Sequence, residues 1–404
     1  MRTLCWANGL SLSFVLLSWI CPFGYAQSTN ESNNEVIDSR LVSVNTSFGF
    51  KLFAELVKQD TGKNIFISPS SIAIALAMTY NSAGGETKEA MAKTLELQGM
   101  SLEEVNQANA ALMAMLENPD QAVQLEIANS LWANKDITFK PDFMKRNEKF
   151  YGAKVTKLDF GDPSVFAAIN GWIDAATRGK IDNVVEKVDI SIDMVLFIIN
   201  AVYFKGIWTV QFNKEQTEEH DFILLDGNKK KVPMMMSQSK RFTFLRGEKF
   251  QAASLPYGSG RMSMYIFLPD SDSSLEEFHQ NLNTENWENW MSQFHNQEVV
   301  VALPRFKLEY EIKLNDTLKA LGMGVAFDRR ANFENMCSGG AFIDYVKHKT
   351  FVEVNEAGTE AAATTVVKMK KGGRTLYVNR PFFCAIRDNK TGAVLFMGFI
   401  VNPQ

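Results

Sequence analysis

Metal-ligating and nucleophilic side chains are few and scattered in this chain. Its four histidines, His220, His279, His295 and His348, form no His-Glu-x-x-His pair and stand beside no Cys-x-x-Cys, the spacings that bring two ligands to one metal. There is no Gly-x-Ser-x-Gly elbow to present a nucleophilic serine and no Gly-x-x-x-x-Gly-Lys-Ser/Thr loop to cradle phosphates. Gly322-Met323-Gly324 lacks the third glycine of a dinucleotide-binding turn. No residue set for an enzyme emerges, and no metal or cofactor is expected.

The informative stretch is residues 351–374, FVEVNEAGTEAAATTVVKMKKGGR. Phe351 to Val354 reads as a strand. After Glu356, residues 357–365 carry nothing larger than Thr except Glu360, too little side chain to anchor the segment in a core. Taken with a period of two, Thr359, Ala361, Ala363, Thr365, Val367 and Met369 make an uncharged face. The other face, Glu360, Ala362, Thr364, Val366, Lys368 and Lys370, carries the charges. Such a segment fits two descriptions: a strand able to slip between two others, or an exposed loop whose alternation is incidental. As a strand, residues 359–371 would extend roughly 40 Å at about 3.3 Å per residue. Lys368, Lys370, Lys371 and Arg374 put four cations into seven residues, with no acid between Glu360 and Asp388.

The rest of the chain has to position this segment. With 404 residues, 46% apolar, 22% charged and a net charge of −4, the composition is that of a globular protein; collagen-like, coiled-coil and wholly disordered classes are excluded. So balanced a charge gives no reason to expect nucleic acid or an anionic membrane as the main partner. Residues 1–26 combine Arg2, the apolar run Leu10 to Ile20 and the small-x-small site Gly24-Tyr25-Ala26, the pattern of a secretory signal peptide. The apolar run is well short of the ~20 residues a membrane span needs. Export is therefore expected, to the extracellular space, or the periplasm in a bacterium. Cys5 and Cys21 would leave with the signal, so Cys337 and Cys384 cannot make a disulfide-stapled scaffold. Asn-x-Ser/Thr acceptors occur at Asn30, Asn45, Asn315 and Asn389.

Apolar spacing predicts a helix over 38–58, a buried helix opened by Ser68-Pro69-Ser70, and further helices over 87–97, 102–117, 274–293 and near 312–321. Strand-like runs alternate with helices through 122–134, 154–160, 164–178 and 194–204; strand patterning dominates 207–270 and returns at 299–303, 306–310, 350–355, 382–387 and 394–401. No linker or repeat interrupts residues 27–404, and the mixed, non-alternating order argues for a single α+β domain.

The segment Glu353-Val354-Asn355-Glu356-Ala357-Gly358-Thr359-Glu360-Ala361-Ala362-Ala363-Thr364 closely resembles the hinge of an inhibitory serpin. Five further blocks match that family in order: Asn64 through Ser71 with Ala75-Leu76-Ala77; Asn170-Gly171-Trp172 with Thr177 through Ile181; Asn200 through Trp208; Leu303-Pro304-Arg305-Phe306; and Phe396-Met397-Gly398 through Pro403. The resemblance implies three β-sheets, about eight or nine helices and an exposed reactive loop at about 356–376. It also implies a metastable monomer that acts as a suicide inhibitor. A serine protease attacks the loop, an acyl-enzyme forms, and the freed loop inserts as a new strand. Glu356, Gly358, Thr359, Glu360, Ala361, Ala362, Ala363, Thr364 and Thr365 match the hinge. Ser68, Ser71, Asn200 and His348 match the polar cluster beneath the sheet that parts (the shutter), and Lys205, Gly206 and Trp208 match the region where insertion begins (the breach).

The family's usual spacing from Gly358 lands on Gly372, which fills no specificity pocket. The basic cluster favours a trypsin-like protease with an acidic pocket, cutting at Lys371–Gly372, with Arg374–Thr375 as the second choice. The stretch from Gly372 to Arg380 is shorter than in most relatives, which leaves a non-inhibitory serpin, acting as a carrier, chaperone or storage protein, as the alternative. The helix at 102–117 carries Glu103, Glu104 and Glu117 with no Lys or Arg, so no heparin-like cofactor is expected.

Overall fold

The computed structural model describes residues 38–117, 120–153, 155–192, 194, 196–238, 240–338, 340–358 and 374–403. The signal-like residues 1–26 and the loop residues 359–373 lie outside the described residues. The chain runs through α1 (Ser39–Gln59), β1 (Ile65–Ile67), α2 (Pro69–Tyr80), α3 (Gly85–Thr94), α4 (Leu102–Leu116), β2 (Val123–Asn134), α5 (Pro141–Tyr151), β3 (Val155–Leu158), α6 (Val165–Ala176) and β4 (Leu196–Gly206). The strand-rich middle holds β5 (Glu218–Ile223), β6 (Lys229–Met236), β7 (Lys240–Arg246), β8 (Phe250–Tyr257) and β9 (Met262–Pro269). Then come α7 (Leu275–Gln280), α8 (Thr284–Gln293), β10 (His295–Pro304), β11 (Phe306–Lys313), α9 (Asn315–Leu318), β12 (Tyr345–Val354), β13 (Arg374–Tyr377), β14 (Phe382–Asp388) and β15 (Val394–Ile400).

Local chemistry explains most boundaries. Asp38 caps α1 by accepting from the Arg40 N–H, and a Ser101/Glu104 capping box starts α4. Pro69 opens α2, whose twelve residues are all buried, so this helix is apolar on every side and serves as a core element. The single helix expected over 274–293 is two helices, because the Asn283 side chain caps Asn286 N–H and starts α8 afresh. The expected helix near 312–321 shortens to α9 and a wide turn closed by Gly322 at φ +107°. Helix α5 and strand β13 were not anticipated from the pattern.

Five strands in the order β11-β12-β4-β2-β3 form one sheet, and ten form a second network. The larger network forks at β10, which pairs with β7 at one end, with β6 at the other, and in parallel with β13 between. Strand β10 thus joins the two arms of this network, which hydrogen bonding makes one ten-stranded sheet beside the five-stranded one. Along β4 the side chains alternate between two cores. Leu196, Ile198, Val202 and Phe204 join the large core with α2, whereas Phe197, Ile199, Ala201 and Tyr203 join a smaller one under α6. The five-stranded sheet is therefore covered on both faces. No helix of the described residues is long and apolar enough to cross a membrane.

Candidate functional site

Strand β12 ends at Val354, and residues 355–358 fold back in a tight turn before the loop. Asn355 and Gly358 bridge each other, and the Asn355 carboxamide oxygen accepts from the Ala357 N–H at 3.1 Å. The turn is docked on the segment after β4. Trp208 N–H donates to Ala357 O (3.1 Å), Phe212 N–H to Glu356 O (2.9 Å), and the Trp208 indole Nε1–H to Asn355 O (2.9 Å). Gly358 sits at φ +100°, and a Cβ there would lie 2.2 Å from Gly206 O and 2.5 Å from Trp208 N. Only glycine allows the backbones to meet this closely.

Glu356 is buried and its carboxylate accepts from the Arg305 guanidinium and from the Thr217 hydroxyl at 2.6 Å. Burial works against its charge, yet the Thr217 and Arg305 donors prevail and hold the carboxyl below its ordinary pKa. Beside it, Trp208 stacks on Tyr257 with ring centroids 4.2 Å apart. Gly206 passes so close to the same ring that a Cβ would lie 2.6 Å from it, and Lys205 pairs in register with Gln124 of β2.

Below this turn, β12 and β4 pair in parallel over eight registered residues, from Tyr345 opposite Phe197 to Val352 opposite Phe204. A buried polar cluster lies across this seam. His348 Nε2 accepts from the Ser68 N–H at 3.1 Å, so its proton is on Nδ1, which donates to Asn200 Oδ1. The Asn200 amide donates in turn to Ser71 Oγ and Asn129 Oδ1. Burial depresses the His348 pKa to about 3, so the ring is neutral.

A profile described as Serpin (serine protease inhibitor) matches residues 43–403. The chain belongs to the serpin family. Leukocyte elastase inhibitor A from Rattus norvegicus is 34% identical over 379 residues, 90% of this chain and 100% of the relative. The native state of tengpin, a thermophilic serpin, superposes with a TM-score of 0.84 at 33% identity, covering 91% of this chain and 95% of tengpin. Human thyroxine-binding globulin matches with the same TM-score of 0.84 at 25% identity, over 91% of this chain and 100% of its own. The family's description is that of serine protease inhibitors.

On this serpin the structure joins Ser68, Ser71, Asn200 and His348 in one network and sets Glu356 and Gly358 against Gly206 and Trp208. Thr359, Glu360, Ala361, Ala362, Ala363, Thr364, Thr365, Lys371 and Gly372 lie outside the described residues. Arg374 and Thr375, expected within the loop, open β13 in register with Val299 and Val300 of β10. The Arg374 guanidinium lies 5.3 Å from the Phe244 ring centroid. Cys337 and Cys384 are both buried free thiols. Sequence reading missed Arg305, Thr217, Asn129 and Tyr257. Arg305 stood in a matched block, and a buried glutamate at the hinge needs such a cation; the other three carried no signal.

Proposed function

We propose that this serpin is a loop-insertion inhibitor of a serine protease with Lys/Arg preference, and that Lys371–Gly372 is the bond attacked. The protease serine adds to the Lys371 carbonyl, the C–N bond breaks, and the Gly372 amine leaves with residues 372–404. Lys371 remains as an acyl ester on the protease. Residues 359–371 then enter between β12 and β4, with the uncharged face Thr359, Ala361, Ala363 and Thr365 inward, and carry the protease away before water releases it.

The observation that carries this reading is that the loop leaves directly from β12, one of the two strands of the closed parallel seam, over Gly206 at the end of the other. Length supports the chosen bond. Strand β12 is ten residues long, so the thirteen residues 359–371 can run its whole length and leave Lys371 beyond its far end. A cut at Arg374–Thr375 would instead fall inside β13. The alternative, a non-inhibitory carrier, chaperone or storage protein, draws on the short distal segment, only residues 372 and 373 between the bond and β13. We further propose removal of residues 1–26, export, and action as a monomer without a metal.

The test is incubation of residues 27–404 with trypsin, followed by denaturing gels and intact-mass analysis of the released peptide. The expected result is a heat- and detergent-stable complex and a peptide beginning at Gly372. Cleavage without complex, and without a later rise in thermal stability, would establish the non-inhibitory reading instead.

A further inference from the structure

The segment between α6 and β4 lies as a strap across the seam, and its two sides are held by different chemistry. Toward β4 the attachment is apolar: Ile181, Val184 and Val185 are buried with Ile199, Ala201 and Tyr203. Asn170 of α6 fixes the strap there through both amide atoms, donating to Val185 O at 2.7 Å and accepting from Val185 N–H at 2.9 Å. Toward β12 the attachment is ionic. Lys347 Nζ meets Asp189 Oδ2 at 2.8 Å, Tyr345 OH donates to Asp189 Oδ1 at 2.5 Å, and Lys349 Nζ donates to Asp182 O at 3.0 Å. Both lysines are buried, an arrangement that stands only with partners at hand.

A third carboxylate sits on the other side of them. Glu311 of β11 reaches Lys347 at 2.7 Å and Lys349 at 3.5 Å. Because β11 pairs with β12 along its whole length, Glu311 travels with the lysines when β12 leaves β4. The contacts to the strap break in that movement; those to Glu311 do not.

We propose that Asp189, with Tyr345, Lys347 and Lys349, is a latch that sets how fast the β12–β4 seam opens, and that Glu311 is the relief partner that lets it open. This rests on the insertion reading above. Asp189 is a positioning residue: it restrains β12 through Lys347 and Tyr345. Removing its charge weakens only the closed state's cross-strap bonds, so opening speeds up. Removing the Glu311 charge leaves two lysines with no carboxylate once the strap is released, so opening slows. The two carboxylates, 122 residues apart and bound to the same ammonium, therefore act with opposite sign.

The test follows uptake of a fluorophore-labelled peptide of residues 359–371 by the uncut protein, compared among wild type, Asp189→Asn, Tyr345→Phe and Glu311→Gln, with thermal unfolding of each. Buried charge-assisted hydrogen bonds are strong enough that Asp189→Asn is expected to take up peptide about tenfold faster. Tyr345→Phe, a milder change to the same carboxylate's environment, is expected to be faster by a smaller factor, and Glu311→Gln slower than wild type even if its melting temperature falls. General loosening of the fold would speed both carboxylate variants. The latch is overturned if Asp189→Asn and Glu311→Gln shift uptake in the same direction, or if neither shifts it. Wild type that takes up no peptide while still trapping trypsin overturns the latch alone. No uptake and no trypsin complex overturns the insertion reading with it.

Discussion

His348 and Asn200 face each other across the parallel seam that joins β12 to β4, the imidazole Nδ1–H donating to the amide oxygen. The other ring nitrogen, Nε2, accepts from the Ser68 N–H and is the atom a second proton would occupy, so the ring that spans the seam, sealed from water, keeps its contacts only while neutral.

His348 should impose an acid-side loss of stability. Burial holds its pKa at about 3 in the folded protein, against 6.5 for an ordinary histidine. The unfolded chain takes up a proton below pH 6.5 and the native ring does not, so stability present above 6.5 is lost progressively as pH falls toward 3. His279, also depressed by burial, acts in the same direction, so the difference between variant and wild type is the quantity to read. Urea unfolding at pH 7 and pH 5 should show His348→Gln losing about 2 kcal/mol less than wild type across that interval.

Gly358→Val should undock the turn at 355–358. The side chain would have to occupy space held by the Gly206 carbonyl, at a φ that β-branched residues avoid. Scanning calorimetry is expected to register a loss of about 1–3 kcal/mol, while Gly358→Ala should lose less.

Glu356 and Arg305 should be strongly coupled. Each single change, Glu356→Gln or Arg305→Met, strands the other's charge in a half-buried site, and the double change removes the problem. A double-mutant cycle by chemical denaturation is expected to give a coupling of about 1–3 kcal/mol. Additive losses would mean that the pair contributes nothing beyond its separate parts.

Thr359→Arg should convert the inhibitor into a substrate. The proposed insertion begins by burying this side chain between β12 and β4, where a guanidinium finds no partner. Trypsin should then cut the variant at Lys371–Gly372 and leave little stable complex on a denaturing gel, with the thermal stability of the uncut protein within a degree or two of wild type.

Legibility in the sequence followed the range of the interactions involved. Helices α1, α2 and α4 and strands β2, β4 and β15 announced themselves because their apolar periodicity and caps are local. The break between α7 and α8 hinges on one asparagine side chain, which a periodicity reading passes over. Strand β13, four residues with Arg and Thr leading, has no strand pattern of its own and exists because β10 offers it a parallel edge. The cluster of Ser68, Ser71, Asn200 and His348 was legible only through family resemblance, since its members are up to 280 residues apart. The Arg305–Glu356 pair was hidden for the same reason: burial of one residue decides the role of another 51 positions away.

Trp208 has a use beyond holding the hinge. Its indole stacks on the Tyr257 ring and donates from Nε1–H to the Asn355 carbonyl, so any event that withdraws Asn355 alters the ring's polarity and packing at once. The protein thereby carries an intrinsic optical reporter at the turn where the proposed insertion would begin. Its emission can be followed without a label in residues 27–404, against a background in which the other four tryptophans, Trp132, Trp172, Trp287 and Trp290, are replaced by phenylalanine.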